Sequence, residues 1–212
     1  SKTYDGKNFD EGRSVEQTSD NGFIITGCKD CDGYSDVILI KTDSAGDTLW
    51  TRTFGGLDND FGNYVQQTTD GGYIITGQTQ SYGNGHSDIW LIKTDSAGDT
   101  LWTRTFGGES LEGGSCVQQT TDGGYIITGI NFSLVLPDHG DVWLIKTDTL
   151  GNEIWNHTYG GVGLDWGRSV QQTTDGGYVI AGWREIVIGG QSDSDVWLIL
   201  TDPEGNAEYL GQ

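Results

Sequence analysis

The chain repeats one sequence pattern four times, and this repetition constrains the fold more than any other feature. Each copy runs through versions of GGYIITG, DIWLIKTD, a glycine-centred turn and LWTRTFGG. Val15, Val65, Val117 and Val170 mark equivalent positions, at intervals of 50, 52 and 53 residues. Repeats of this length are typical of proteins in which similar modules stack against one another. The sequence therefore predicts a single domain over 1–212, with repeats at about 7–56, 57–108, 109–161 and 162–212 and with 1–6 completing the last one.

Each repeat is predicted to contain four β-strands. In the second repeat, 64–68 and 73–77 flank a Thr-Asp-Gly-Gly turn, which is the pattern of a tight hairpin. Residues 88–93 form a nearly continuous apolar run, typical of a strand that is buried on both faces. A turn at Gly98 then leads into a fourth strand at 100–105. The expected unit is a four-stranded antiparallel sheet.

Four strands in a repeat of about 50 residues are typical of a β-propeller blade, in which twisted sheets pack face to face around a central axis. We therefore predict an all-β protein, a β-propeller of four four-stranded antiparallel blades. The chain ends almost at the repeat phase in which it begins, so an N-terminal strand is expected to complete the last blade and pair its edge. The alternative is half of an eight-bladed ring formed by two chains.

Three short segments carry a resemblance to a known repeat family. They are FGG at 54–56, TDGGY at 69–73 and DIWLIKTD at 88–95, and with their copies they resemble the SBBP-type bacterial β-propeller repeat over essentially the whole chain. The segment at 95–102 is also similar to the tryptophan-docking motif of quinoprotein-type propellers, with counterparts at 43–50, 148–155 and 202–209. The resemblance implies a secreted module in which the aromatic residue packs against the neighbouring blade. It does not imply a quinone cofactor.

The composition excludes some classes of binding partner. The protein has 31 acidic residues against 11 Lys and Arg, a net charge of -20 and a pI near 4.1, so nucleic acid and anionic membrane surfaces are expected to be repelled. No apolar stretch approaches the roughly 20 residues that a membrane helix needs. The chain starts at Ser1 and contains no Met, as a processed protein would. An extracellular or cell-surface location is therefore expected, and a fragment of a longer repeat array is the alternative.

The loops between the second and third strands of each repeat differ in length and sequence, whereas the turns on the other face are nearly identical. Divergence among near-identical repeats marks the surface that is free to adapt to a ligand. Large apolar side chains in these loops predict a binding patch, unless the loops fold back and bury them. The candidates are Tyr34, Tyr82, Phe132, Leu134, Leu136, Trp183, Ile186 and Ile188.

These loops lead to three hypotheses for function. The first is a noncatalytic extracellular or cell-surface module that binds another protein or assembles with itself through the loop face. The second is a carbohydrate-binding or carbohydrate-processing propeller, in which Tyr34, Tyr82, Phe132 and Trp183 stack on sugar rings. The third is a structural element of a longer repeat array.

Four acidic residues occupy equivalent positions in the four repeats, on the same face as these loops. Each lies five residues before one of the valines named above, which we call the landmark valines. They predict a rim of carboxylates around the axis, and carboxylate oxygens are suitable ligands for Ca²⁺. Capping of local turns and solubility are the default role of these acids, and a Ca²⁺ site is the alternative. The four residues are Asp10, Asp60, Glu112 and Asp165.

Cysteine and histidine usage gives no catalytic motif. Cys28 and Cys31 lie in one loop of the first repeat, where a local disulfide in an oxidising compartment is the first interpretation. A second pair of ligands for a metal site is absent from the sequence. His86, His139 and His157 have no nucleophile at a recognisable spacing. We therefore expect a protein that is not an enzyme and holds no cofactor.

Overall fold

The computed structural model describes residues 1–4, 9–132, 139–188 and 191–207. Within these residues the protein is all-β, in four antiparallel sheets that we call blades 1 to 4. This part of the chain contains no helix, and therefore no helix that is long and apolar enough to cross a membrane. The prediction of an all-β protein built from four repeated antiparallel sheets is thus confirmed.

The strands of each blade follow one another in sequence order across the sheet. Blade 1 contains β1 (Glu11–Gln17), β2 (Phe23–Lys29), β3 (Asp36–Thr42) and β4 (Thr48–Phe54). Blade 2 contains β5 (Asp60–Gln67), β6 (Tyr73–Thr79), β7 (Asp88–Thr94) and β8 (Thr100–Phe106). Blade 3 contains β9 (Glu112–Gln119), β10 (Tyr125–Phe132), β11 (Gly140–Thr147) and β12 (Glu153–Tyr159). Blade 4 contains β13 (Asp165–Gln172), β14 (Tyr178–Ile188) and β15 (Gln191–Thr201), and Ala207 pairs with Thr201 where the fourth strand begins in the other blades.

Acidic residues build the hairpin turns locally. In blade 2 the Asp70 carboxylate accepts hydrogen bonds from the Thr68 hydroxyl at 2.6 Å and from the backbone N–H of Gly72 at 2.9 Å. The Asp95 carboxylate caps the next turn by accepting from the N–H groups of Ala97 and Asp99, both at 2.9 Å. These bonds replace backbone pairings that the turn leaves open, which is why the same acids recur in the other blades.

Glycine at the second turn also makes room for the preceding blade. Gly98 has a φ of +80°, and a Cβ there would lie 2.7 Å from the Trp50 ring of blade 1. Trp50 in turn meets the Tyr73 ring of blade 2 edge to face, with 5.8 Å between centroids. The equivalent contacts recur between blades 2 and 3 and between blades 3 and 4. The tryptophans therefore have the packing role expected for them from the sequence.

The hydrophobic core lies between consecutive blades. At the first junction Ile24, Val37 and Leu39 of blade 1 pack against Val65 and Tyr73 of blade 2. Equivalent clusters join blade 2 to blade 3 and blade 3 to blade 4. At each junction the leading face of one blade thus packs against the trailing face of the next blade.

The first and last blades each keep one of these faces open. Val15 in blade 1 is 63% exposed, whereas its counterpart Val65 is 1% exposed. Val196 and Leu198 in blade 4 are 92% and 58% exposed, although their counterparts in blade 3 are buried. Described residues of blade 1 form no hydrophobic cluster with those of blade 4. Within the described residues, the four blades therefore form a propeller-like arrangement in which one face of blade 1 and one face of blade 4 are exposed.

The N-terminal residues lie beside blade 1 rather than free in solvent. The Tyr4 hydroxyl donates to the Gly46 carbonyl at 3.0 Å, and Lys2 forms an ion pair with Asp47. The Tyr159 hydroxyl of blade 3 donates to the Gly205 carbonyl of blade 4 in the same way, at 2.5 Å. Residues 1–4 therefore take the position that the fourth strand of a preceding blade, which we call the outer strand, would occupy.

Candidate binding sites

Two aromatic residues of the predicted loop patch differ in how firmly they are held. Tyr34 is 77% exposed and its ring stands open to solvent. Tyr82 is 46% exposed, and its ring packs against Trp90 with 5.2 Å between centroids. Its hydroxyl donates to the Gly55 carbonyl at 2.8 Å. Only Tyr34 is therefore free to stack its whole ring on a ligand.

The remaining residues of the predicted patch are spread over blades 3 and 4. Phe132 and Trp183 are half-buried and Ile186 is 38% exposed. The loop that carries Ile186 is a long hairpin of β14 and β15, in which Ile186 pairs with Asp193. Leu134 and Leu136 lie outside the described residues, as does the side chain of Ile188.

The predicted acidic rim lies at the blade junctions. Asp60, Glu112 and Asp165 are almost fully buried, and each accepts a backbone N–H from a glycine four residues earlier in the chain. Asp10 is half-buried and accepts from the N–H of Asp30 at 2.9 Å. Asp60, Glu112 and Asp165 thus cap the loops that enter the first strand of each blade, which we call the inner strand, whereas Asp10 caps the loop that follows β2.

At the three junctions the rim acid also faces the acid that begins the third strand of the preceding blade. A Cβ at Gly107 would lie 1.9 Å from the Asp88 Oδ1 atom and 2.5 Å from the Glu112 Oε2 atom, so the two carboxylates are close neighbours. Burial raises the pKa of Asp88 and Glu112, and the charge of Asp88 raises that of Glu112 further. In the described part of the chain no third Asp, Glu, His or Cys completes a metal-binding group at any of these pairs.

These acid pairs predict that the protein is most stable in mild acid. Burial raises the folded pKa of Asp88, Glu112, Asp141 and Asp165 above the ordinary values, so their contribution is complete below about pH 4 and is lost as the pH rises through the folded pKa. The turn acids behave in the opposite way. Partial burial opposes ionisation of Asp70 and Asp122, but hydrogen bonds from a buried lysine, a threonine hydroxyl and a glycine N–H together outweigh it and lower each pKa to about 2.

The expected unfolding midpoint in urea is therefore highest between about pH 4 and 5, and lower at about pH 2.5 and pH 7. The measurement is made in about 0.5 M salt, which screens the long-range repulsion of a chain with net charge -20. A midpoint that rises steadily from pH 4.5 to 7 would contradict the assignment of raised pKa values to the paired acids.

The cysteine loop of blade 1 holds a disulfide between Cys28 and Cys31, with 5.7 Å between the Cα atoms. Glu11 places a carboxylate oxygen 4.0 Å from the Cys28 sulfur, and the three side chains form the one potential metal-binding group within the described residues. Disulfide sulfurs are not thiolates, so this group has no metal-binding thiolate in the oxidised protein. Cys116 is buried, and burial raises the pKa of its thiol.

A cleft that the sequence did not predict lies along the inner strands. It has a volume of about 390 Å³ and is lined by side chains from all four blades. Arg13, Asn63, Ser115 and Arg168 occupy equivalent positions, each between an invariant glycine and the residue before a landmark valine. Gln78 and Trp166 complete the lining. We call this space the axial cleft.

Hydrogen bonds connect the four inner strands across the axial cleft. The Arg13 guanidinium donates to the Asn63 side-chain oxygen at 2.8 Å, and the Asn63 amide donates to the Gly114 carbonyl at 2.8 Å. The Trp166 indole N–H donates to the Ser115 hydroxyl at 2.7 Å. These contacts hold the lining side chains in fixed positions.

A smaller, mostly apolar hollow adjoins the axial cleft, and the polar residues Gln80, Ser87 and Glu112 also line it. Its volume is about 210 Å³, and it shares Gln78 and Trp166 with the cleft. Leu111, Ile130 and Phe132 supply its apolar wall. The hollow exists because blade 3 has Gly113 at the position of Phe61 in blade 2 and Trp166 in blade 4.

Comparison with known proteins adds no family assignment. The chain matches no protein-family model and no curated protein.

Proposed function

We propose that the chain is a noncatalytic assembly module that pairs with a second copy of itself through the free faces of blades 1 and 4. The observation that carries the proposal is the exposure of Val196 and Leu198 at 92% and 58%, at positions that are buried in every other blade. Isolated exposed apolar residues are common on soluble proteins. Here, however, they belong to a face that packs against another blade three times within the same chain.

The free leading face of blade 4 matches the leading faces that are already buried. Val179, Val196 and Leu198 stand where Ile126, Val142 and Leu144 stand in blade 3. The free trailing face of blade 1 carries Val15, Phe23 and Ile25, where blade 2 has Val65, Tyr73 and Ile75. A junction between blade 4 of one copy and blade 1 of another would therefore reuse the packing of the internal junctions.

Two such junctions related by a twofold axis would give a ring of eight blades. This contact joins different surfaces of the two copies. Assembly therefore stops at two copies only if the rotation between successive blades closes the ring. Residues 1–4 support this arrangement because they already occupy the outer-strand position that precedes blade 1. In the ring they would lie beside blade 4 of the partner.

Burial of apolar side chains favours association of two copies, and the negative charge of each copy opposes it. Burial of one valine or leucine side chain contributes about 1.5–3 kcal/mol, and the three residues Val15, Val196 and Leu198 would each be buried twice in the ring. Loss of translational and rotational freedom offsets part of this gain. Each copy also carries a net charge of -20, so repulsion between copies weakens association at low salt.

Sedimentation equilibrium tests the proposal. We expect a mass of twice 23.0 kDa, with a dimer fraction that grows from about 0.05 M to 0.5 M salt as the repulsion is screened. A mass of 23.0 kDa at every salt and protein concentration would contradict the proposal and would favour closure within one chain.

We also propose an extracellular or cell-surface location. The Cys28–Cys31 disulfide supports it, because disulfides persist in oxidising compartments and are rare in the cytosol.

A further inference from the structure

The axial cleft is the place where the four repeats differ most within their strands. The positions of Arg13, Asn63, Ser115 and Arg168 each follow a glycine and lie two residues before a valine that all four blades share, while the residue in between varies as well. The fold requires the same geometry at each of them, so the fold does not explain why one blade has arginine and another serine. Residues that vary at one site among otherwise matching repeats are free to be chosen by a ligand.

Arginine stands out among these residues because the protein is so acidic. Two of its five arginines line the axial cleft, in a chain with 31 Asp and Glu. Arg13 is already engaged, since its guanidinium pairs with Glu11 at 3.1 Å and donates to Asn63. Arg168 lies 4.1 Å above the Trp166 ring, and none of the described carboxylates forms an ion pair with it. Its N–H groups are therefore available to an anion.

The neighbouring hollow specifies the rest of the ligand. Its wall of Leu111, Ile130 and Phe132 is apolar and adjoins the cleft through Trp166 and Gln78. Ligand sites in proteins are commonly apolar cavities of about 300–1,000 Å³ with a few polar groups that fix orientation. A guanidinium binds a carboxylate through two parallel hydrogen bonds, and amide side chains such as Asn63 and Gln78 suit a neighbouring polar group.

We propose that the axial cleft binds a ligand that carries a carboxylate beside an aromatic or branched aliphatic group. Arg168 holds the carboxylate, and the hollow formed at Gly113 receives the apolar group. The free C-terminal residue of a peptide and a small arylalkyl acid share this chemistry. The proposal is independent of self-association, because every lining residue belongs to one chain.

Calorimetric titration with four small probes tests the proposal and separates the two sources. N-acetylphenylalanine represents a peptide C-terminus, and 3-phenylpropionate represents a free acid without the peptide amide. We expect saturable binding of at least one of them with a Kd of about 1 mM. N-acetylphenylalanine amide lacks the carboxylate and is expected to bind at least about tenfold more weakly. D-galacturonate carries a carboxylate on a polar ring and is expected to bind more weakly than either acid.

Two variants locate the site. R168Q is expected to raise the Kd of the bound acid at least about tenfold. R104Q is the matched control, because Arg104 stacks on Trp102 at 5.5 Å on an outer strand and its loss changes the net charge equally. G113F is expected to fill the hollow and weaken binding to a similar extent. Blade 2 accepts phenylalanine at this position, and the nearest atom to a new Cβ is the end of the flexible Gln78 side chain at 3.0 Å.

Several results would overturn the proposal. They are no saturable binding of either acid up to about 10 mM, equal binding of acid and amide, and equal effects of R168Q and R104Q. Tighter binding of D-galacturonate than of both acids would assign the cleft to an acidic sugar instead. Thermal unfolding of R168Q and G113F separates a lost ligand contact from a lost fold.

Discussion

Replacement of Leu198 by glutamate (L198E) is expected to abolish self-association. The counterparts of Leu198 in the first three blades, Leu39, Leu91 and Leu144, are all 0% exposed because the next blade covers them. In the proposed ring Leu198 would be covered in the same way, and a carboxylate there would lose its hydration without gaining a partner. Such a penalty amounts to several kcal/mol at each of two junctions. Sedimentation equilibrium should then give 23.0 kDa under conditions in which the unmodified protein is a dimer.

L101E is the matched control for this experiment. Leu101 is 57% exposed and Leu198 is 58% exposed, and both substitutions add one negative charge. Leu101 lies on the outer strand β8, and its counterparts Leu49 and Ile154 are also 57% exposed although their blades are packed against neighbours. The new carboxylate of L101E would therefore remain in water, and the variant is expected to dimerise like the unmodified protein. Equal association of L198E and L101E would rule out blade 4 as the contact surface.

Because L198E acts on a surface that is exposed in the single chain, it should unfold at nearly the same temperature as the unmodified protein when both are monomeric at low salt and low concentration. Surface substitutions away from special features usually change stability by less than about 0.5 kcal/mol. A large loss of stability would instead indicate that Leu198 is buried within one chain, as closure of a four-bladed ring requires.

The strands and turns were predictable from sequence because each has a local cause. The apolar run at 88–93 and the Thr-Asp-Gly-Gly turn each specify their own geometry, and four copies repeat the signal. Whether the end blades cover each other, as in a four-bladed ring, or stay open, as in half of an eight-bladed ring, was not decidable from the sequence. Val15 and Val65 are the same residue at the same repeat position, yet they are 63% and 1% exposed. Exposure here depends on whether another blade stands alongside, and the sequence of one repeat does not contain that information.

The candidate sites show a similar division. The register of Asp60, Glu112 and Asp165 was visible in the sequence, but their burial against a second carboxylate depends on how the loop folds at Gly55, Gly107 and Gly160, where a side chain would collide with the acids. The sequence also contains a signal for the axial cleft, but this signal lies in the strands and not in the loops. The loops differ in length and apolar content, whereas the cleft is marked by substitutions inside strands, of which Arg13, Asn63 and Arg168 are examples.

Replacement of Asp122 by alanine (D122A) is expected to destabilise the fold strongly because it leaves a buried lysine without its counterion. The Lys146 ammonium lies 2.9 Å from the Asp122 carboxylate, and only 6% of the lysine side chain is exposed. Removal of one partner from a buried ion pair costs about 3–5 kcal/mol. Here 59% of the aspartate side chain is exposed and water can reach that side of the pair, so about 2 kcal/mol is expected. Urea unfolding at pH 7 measures the change.

Blade 4 provides the control, since it has the same turn without the lysine. Leu200 replaces the lysine there, while Asp175 still accepts from Thr173 in the equivalent turn. D175A therefore removes the capping bonds but no ion pair, and it should destabilise the protein less than D122A. The double variant K146L/D122A reproduces the residue pattern of blade 4 with the cap removed, and it should recover the difference between D122A and D175A. Equal losses from D122A and D175A would show that the turn hydrogen bonds, and not the lysine, account for the recurring aspartate.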